Sequence, residues 1–479
     1  MSKSSLDRIL NALRDDIQTR QAGEKLPTVR DLMEQFQASP ITINKALKAL
    51  SLEGKIVTKT GSGTFVADPI HRRETKPTAW QEITLGTRYH PGDNLREFMA
   101  NVPSGCIPLQ SGYLDSELQA VEALQSSLKA VMRKPTVWGW APTEGLEELR
   151  AWFAHEAGGY VRAADVQIVS GGQAALATIF SALTEPGQHV LVESPTYLGA
   201  LAVMRSNKVN PIAVPTDAQG VIPEFLESAF QKTGAKVFYT QPRHSNPSGA
   251  TLSPYRRKRV LEIAEKYQAF IVEDDYLNGL TFEGTHSPPL ISENENHVIY
   301  LRSLTKSVAP SLRVGAVIAK GAARARINSM SVVDGLFVSR LLQETALHFL
   351  TSPAWPKHLK KLHQELKYRR NIALQELKNI PGLTPYTHPT GGVHMWLRLP
   401  EGIRAEEFTR AAERNGVIVV CGNVYFPAEP SGDFIRMSFG SVDPQTLKDG
   451  IHRLGEVVRE LSPAALPTTL TAGRARSSS

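Results

Sequence analysis

The chain has 479 residues, long enough for about three domains of ordinary size and for a sizeable core. At 41% hydrophobic, 21% charged and 7% aromatic residues, it has the composition of a soluble globular protein, which excludes a disordered, collagenous or membrane-embedded chain. The formal charge is +7, yet residues 1–68 hold 10 Lys+Arg against 8 Asp+Glu, so a nucleic-acid function must come from a motif and not from a basic tail.

The first elements read as three short helices and a hairpin. Leu6, Ile9, Leu10, Leu13 and Ile17 fall on one helical face, and Gly23 ends that run. Thr28 can cap a second helix whose buried face is Val29, Leu32, Met33 and Phe36. Ser39 as N-cap and Pro40 in the first turn start a third, which buries Ile43, Ala46, Leu47 and Leu50. Its free face shows Ile41, Thr42, Asn44, Lys45 and Lys48, including the small polar and basic groups that bond to phosphates and base edges. KIVTKTGSGTFVAD then alternates as two strands around a Gly-Ser-Gly turn.

Helix, helix, turn, helix and hairpin is the order of a winged helix-turn-helix. The stretch GEKLPTVRDLMEQFQASPITINKALKALSLEGKIVTKTGSGTFV resembles the DNA-binding domain of GntR-type bacterial repressors, with its Leu-Pro-x-x-Arg, Ser-x-x-Thr, Glu-Gly and Gly-x-Gly-x-Phe-Val signatures in place. The resemblance implies operator DNA as partner, with Arg30, Ser39, Thr42, Asn44, Lys45 and Gly63 at or near the contact. Pro40 stands where that family commonly has a DNA-contacting Arg, so the operator sequence does not carry over.

Residues 1–68 are therefore expected to form one domain, and 69–79, with two prolines and mixed charge, a linker. From 80 to 462, apolar strand-length runs such as VQIV, HVLVE, KVFYTQ, AFIVEDD, HVIYLRS and VGAVIA alternate with helical stretches, which indicates a mostly parallel sheet covered on both faces. Residues 463–479 read as a polar, disordered tail. No apolar run reaches the roughly 18 residues of a membrane span, and the acidic opening is unlike a signal peptide, so the expected location is cytoplasmic. Cys106 and Cys421 lack metal-like spacing, and neither a disulfide nor a metal site is expected.

Polar residues follow each apolar run. Ser170-Gly171-Gly172-Gln173 opens a helix, where bare N–H groups suit a phosphate; Tyr197, Asn246, Asp274 and Tyr276 follow later runs, and Ser303, Lys306 and Arg313 close the series. A phosphate cup, an aromatic plate, a carboxylate and a lysine together match pyridoxal 5'-phosphate. Here the chain resembles a fold-type I aminotransferase from about residue 80 to 462. The resemblance gives Gly172 and Gln173 to the phosphate loop, Tyr197 to ring stacking, and Asn246 and Tyr276 to the ring hydroxyl. It gives Asp274 to the ring nitrogen, Lys306 to the Schiff base, and Ser303 and Arg313 to the phosphate. Arg436, in FIRMSFG, takes the place of the arginine that grips a carboxylate. Two positions depart from the family: Gly172 replaces a common Ser, and Trp140 replaces a Tyr that reaches a partner subunit's phosphate.

A GntR-type winged helix joined to such a region is the architecture of the MocR subgroup of regulators. It implies a homodimeric transcription factor that responds to pyridoxal phosphate or to its adduct with an amino acid or amine. A working aminotransferase that carries a DNA-binding domain is the alternative, since Lys306, Asp274 and Arg436 would suffice for chemistry on an amino acid.

Overall fold

The computed structural model describes residues 5–20, 23–59, 63–67, 84, 92–99 and 102–462. The expected linker (69–79) and tail (463–479) lie outside these residues. The chain divides into two compact units, Met1–Tyr89 and His90–Ser479.

The first unit contains helices α1 (Ser5–Thr19), α2 (Val29–Phe36) and α3 (Pro40–Leu52) and the antiparallel strands β1 (Ile56–Lys59) and β2 (Gly63–Val66), in register Ile56 to Val66. Thr28 caps α2 in a reciprocal box with Asp31, and Ser39 caps α3 by accepting from the Thr42 N–H. Ile9, Leu13, Leu32, Ile43, Leu50 and Ile56 form the core. Of the face expected for α2, Leu32 alone is fully buried, while Val29, Met33 and Phe36 pack at the edge. A helix of eight residues in a small unit has one turn to sink.

The second unit has a short helix, Asp93–Phe98, ahead of the short strand β3 (Ile107–Pro108). Its main sheet contains β4 (Val166–Val169), β5 (His189–Ser194), β6 (Asn210–Asp217), β7 (Gly220–Val221), β8 (Val237–Thr240), β9 (Phe270–Asp274), β10 (Val298–Ser303) and β11 (Gly315–Ile318), in the order β4-β11-β10-β9-β8-β5-β6-β7. β5, β6, β8, β9 and β10 run parallel, while β11 is antiparallel to both its neighbours. Both faces are covered, as the unbroken apolar runs required. Along β10, Val298 and Tyr300 join one core while Ile299 and Leu301 join another.

A smaller antiparallel sheet follows, from β12 (Thr384–Pro385), β13 (His394–Arg398), β15 (Val420–Cys421) and β16 (Phe434–Ser438), in the order β12-β13-β16-β15. Between β13 and β15, β14 (Val417–Ile418) pairs in parallel with β3. β16 carries Arg436 opposite Trp396. Among the described residues, no helix is long and apolar enough to cross a membrane.

Candidate cofactor pocket and DNA-facing helix

In an α/β sheet a ligand site forms beyond the carboxyl ends of the parallel strands. Here the ends of β4, β5, β8, β9 and β10 converge on one pocket. Gly172, Gln173, Tyr197, Asn246, Asp274, Tyr276, Ser303, Lys306, Arg313 and Arg436 all line it. Leu95, Phe98, Tyr113 and Gln241, which the sequence did not single out, line it too.

Strand alternation sorts the three consecutive acids at the end of β9. Glu273 turns one way and accepts from the Leu290 and Ile291 N–H groups at 2.9 and 3.2 Å. Asp275 pairs with buried Arg243 at 2.8 Å. Asp274, between them, lines the pocket, and its Oδ2 accepts from the Tyr239 hydroxyl at 2.7 Å and Gln241 Nε2 at 2.9 Å. Burial pushes the Asp274 carboxyl up to about 6, while the two hydrogen bonds and Lys306 pull it back. Gln241 also fixes the next loop, since its Oε1 accepts the Asn246 N–H at 3.0 Å. Gln241 is itself anchored by buried Glu193, which accepts its backbone N–H at 3.1 Å.

Lys306 follows β10, with its Nζ 3.8 Å from the centre of the Tyr113 ring. Desolvation, then Arg436 and Arg313, push its amine down to about 7 against the opposing pull of Asp274. Near neutral pH a large share of this amine is unprotonated and nucleophilic. Arg436 is buried and donates from Nη1 to the Gln110 carbonyl at 3.1 Å.

The helix Gly172–Leu183 starts directly behind β4, with no acid in its first turn, so its leading N–H groups offer a positive end. Gly171 caps it at φ +91°, and a Cβ there would stand 3.0 Å from the Arg313 guanidinium. Glycine therefore admits both the turn and the arginine, which donates to the Ser170 carbonyl at 2.5 Å. The Ser303 hydroxyl donates to Thr305 Oγ1 at 2.9 Å. Tyr197 donates to Gln173 Oε1 at 3.1 Å, and its ring lies so close to Gly199 that a Cβ would come within 2.4 Å of it. The Tyr276 hydroxyl donates to the His244 carbonyl at 3.0 Å.

These residues fit pyridoxal phosphate. Asn246 Oδ1 and Arg436 Nε are buried without a hydrogen-bond partner among the described residues, and both belong to side chains that line the pocket. The lining sets Arg313 and Ser303 beside the Gly171–Gly172 turn and also holds a carboxylate and an amine, as a phosphate, a ring nitrogen and an aldehyde require.

In the first unit, Asn44 and Lys45 are exposed on α3, and the Arg30 side chain is 89% exposed beside Glu34. Thr42 is half-buried, and its hydroxyl lies 2.9 Å from Ser39 Oγ, so both side chains serve the cap. Gly63 opens β2 at φ +117°. Among the described residues there is no cluster of side chains that could hold a metal ion.

Residues 104–454 match the family described as aminotransferase class I and II. The chain belongs to this aminotransferase family. Its aminotransferase region is preceded by residues 6–66, which match bacterial regulatory proteins of the gntR family, and the two together are the MocR-type arrangement. The HTH-type transcriptional regulator YdfD of Bacillus subtilis is 27% identical over 92% of this chain and 93% of its own length. Aromatic-amino-acid aminotransferase 1 of Thermococcus litoralis is 30% identical over 80% of this aminotransferase-family chain and 94% of its own. Among solved structures, the α-aminoadipate aminotransferase LysN of Thermus thermophilus, complexed with N-(5'-phosphopyridoxyl)-L-leucine, superimposes with a TM-score of 0.72 at 25% identity. It spans 80% of this chain and 98% of that one.

Proposed function

We propose that this protein is a bacterial transcriptional regulator that binds operator DNA through its winged helix and senses pyridoxal phosphate, or its adduct with an amino compound, in the pocket around Lys306. The observation that carries the reading is the union in one chain of a GntR-type unit, with Asn44 and Lys45 exposed on α3, and a pocket that gathers Lys306, Asp274 and Arg436. The likeness to YdfD along nearly the whole of both chains supports regulation, and the likeness to LysN supports the cofactor.

Pyridoxal phosphate, when bound, supplies an aldehyde for amines and a ring that withdraws electrons. Lys306 offers an amine that is partly neutral near pH 7 at the wall of the pocket. Asp274, held by Tyr239 and Gln241, presents a carboxylate to a protonated ring nitrogen. Arg313 and the first N–H groups of Gly172–Leu183 would hold the phosphate, and Arg436 would grip the carboxylate of an amino acid. Two such chains would serve two half-sites, and the exposed Trp138 and Trp140 offer apolar surface for pairing.

The test is footprinting on DNA upstream of the protein's own coding sequence, with and without pyridoxal phosphate and amino acids, for the wild type and Lys306→Ala. A footprint that pyridoxal phosphate alters in the wild type and leaves unchanged in Lys306→Ala is the expected result. Absence of a footprint under every ligand condition, with brisk transamination of a common amino acid, would establish the catalytic alternative instead.

A further inference from the structure

β8 ends at Thr240, and the next residues carry the chain from Gln241 to Asn246, both of which line the pocket. Gln241 is buried, and its side chain is engaged at both ends. Nε2 donates to Asp274 Oδ2 at 2.9 Å, and Oε1 accepts the Asn246 N–H at 3.0 Å. An ionised carboxylate can only accept and a backbone N–H can only donate, so the amide is held in one orientation. The reverse would set oxygen against oxygen and N–H against N–H.

This contact orients Asp274. The Tyr239 hydroxyl and Gln241 Nε2 both reach Oδ2, while Oδ1 accepts from none of the described residues. One oxygen is held and the other is left for a ligand in the pocket that Asp274 lines. Tyr239 shares in holding that oxygen, but Gln241 also joins it to the loop that carries Asn246, whose own Oδ1 is buried without a partner among the described residues. The loop is tied down behind. Buried Glu193, in β5, accepts from Thr240 Oγ1 at 2.8 Å, the Gln241 N–H at 3.1 Å and Ser245 Oγ at 3.4 Å, so one carboxyl fastens both ends of the stretch from Thr240 to Ser245. In a medium of low dielectric, a network satisfied in this way is stiff.

We infer that Gln241 is a positioning residue of the cofactor site: by tying Asp274 to the Asn246 loop, it sets the spacing between the group that meets the ring nitrogen and the group that meets the ring hydroxyl. It acts through these two neighbours, and its role rests on the pyridoxal phosphate reading of the pocket.

The experiment compares the wild type with Gln241→Met and Gln241→Glu, each as the full chain loaded with pyridoxal phosphate, and reads the rate at which the visible band is lost on dialysis from about pH 6 to about pH 9. Methionine keeps much of the glutamine's volume and makes neither bond. Glutamic acid, when protonated, has the glutamine's own pattern, an O–H to give to Asp274 and an oxygen to accept the Asn246 N–H; when ionised, it sets a second negative charge against Asp274. The titratable groups around the position, Glu193, Asp274, Tyr239 and Lys306, are the same in both variants, so Gln241→Met carries their share of any pH dependence. Gln241→Met should lose the band about tenfold faster than the wild type, or more, across the range. Gln241→Glu should match the wild type at the acid end and fall to the level of Gln241→Met or below it at the alkaline end. Its recovery in acid would show, in the same molecule, that the fold is intact. Retention by Gln241→Met equal to that of the wild type would overturn the inference and leave the cofactor reading standing, as would a Gln241→Glu defect of the same size at both ends. Wild-type protein that forms no visible band with pyridoxal phosphate would overturn both.

Discussion

Replacing Arg436 by Met should raise the pKa of Lys306. A Cβ on Gly112 would stand 3.3 Å from Arg436 Nη2 and 3.5 Å from Lys306 Nζ, so the two nitrogens are at most about 6.8 Å apart. At an effective dielectric near 20, two unit charges at that distance repel by about 2.4 kcal/mol, or roughly 1.8 pH units. Burial is the largest cause of the amine's descent to about 7, and Arg436 is the next. Methionine fills much of the arginine's volume without its charge, so the amine should move up by roughly one to two pH units. Only the neutral amine attacks an aldehyde, so the rate at which cofactor-free protein captures pyridoxal phosphate tracks its neutral fraction. Stopped-flow growth of the visible band should be half-maximal near pH 7 for the wild type, where the Lys306 amine titrates. The midpoint should lie further into the alkaline range for Arg436→Met and stay unchanged for Arg436→Lys. The loss of the bond to the Gln110 carbonyl costs about 1 kcal/mol of stability, which urea unfolding can check separately. A midpoint that stays put or moves acidward in Arg436→Met would refute the electrostatic argument.

Other consequences are open to measurement. Because the folded state lowers the Lys306 pKa from 10.5 to about 7, the unfolded chain binds more protons between those values. That residue's contribution to the stability of cofactor-free protein therefore rises with pH across the window, and Lys306→Met should flatten the rise in urea midpoints. Asp274→Ala leaves the Tyr239 hydroxyl and the Gln241 amide without their acceptor, so it should cost about 1–3 kcal/mol in the same assay and weaken cofactor retention on dialysis. Asp274→Asn, which keeps one acceptor oxygen, should cost less stability. On DNA, Arg30→Ala and Lys45→Ala should each reduce the salt slope by roughly one, whereas Asn44→Ala should relax preference at one operator position by about 1–3 kcal/mol, measured by competition with substituted duplexes.

Most of the large sheet was legible because its strands are buried on both faces, and unbroken apolar runs such as VQIV and HVIYLRS permit little else. The residues just beyond those runs could be read as a site for the same reason. In the sequence, the family resemblance alone singles out Asp274 from Glu273 and Asp275, and the physical reason, that its neighbours are turned to other partners, comes only with the fold. Two parts stayed hidden. The smaller sheet is made of strands of two to five residues, too short for periodicity to register, and only the arginine of FIRMSFG marked it. Phe98 and Tyr113 reach the pocket from segments far from the main strands in sequence, and an aromatic in such a segment looks like any surface or core residue until the fold delivers it. Ser39 could be read as a cap, but the contact of its hydroxyl with that of Thr42, which was expected on the DNA-facing side, could not.

The first unit has a hydrophobic core of its own, around Ile9, Leu13, Leu32, Ile43 and Leu50. A unit with its own core can melt as its own cooperative block. A calorimetric scan should then resolve two endotherms. Pyridoxal phosphate at a hundred times its Kd adds about 2.7 kcal/mol to whichever block holds it, so the larger endotherm should climb. Any movement of the smaller endotherm in the same scan would measure, without DNA in the cell, the free energy by which one block informs the other.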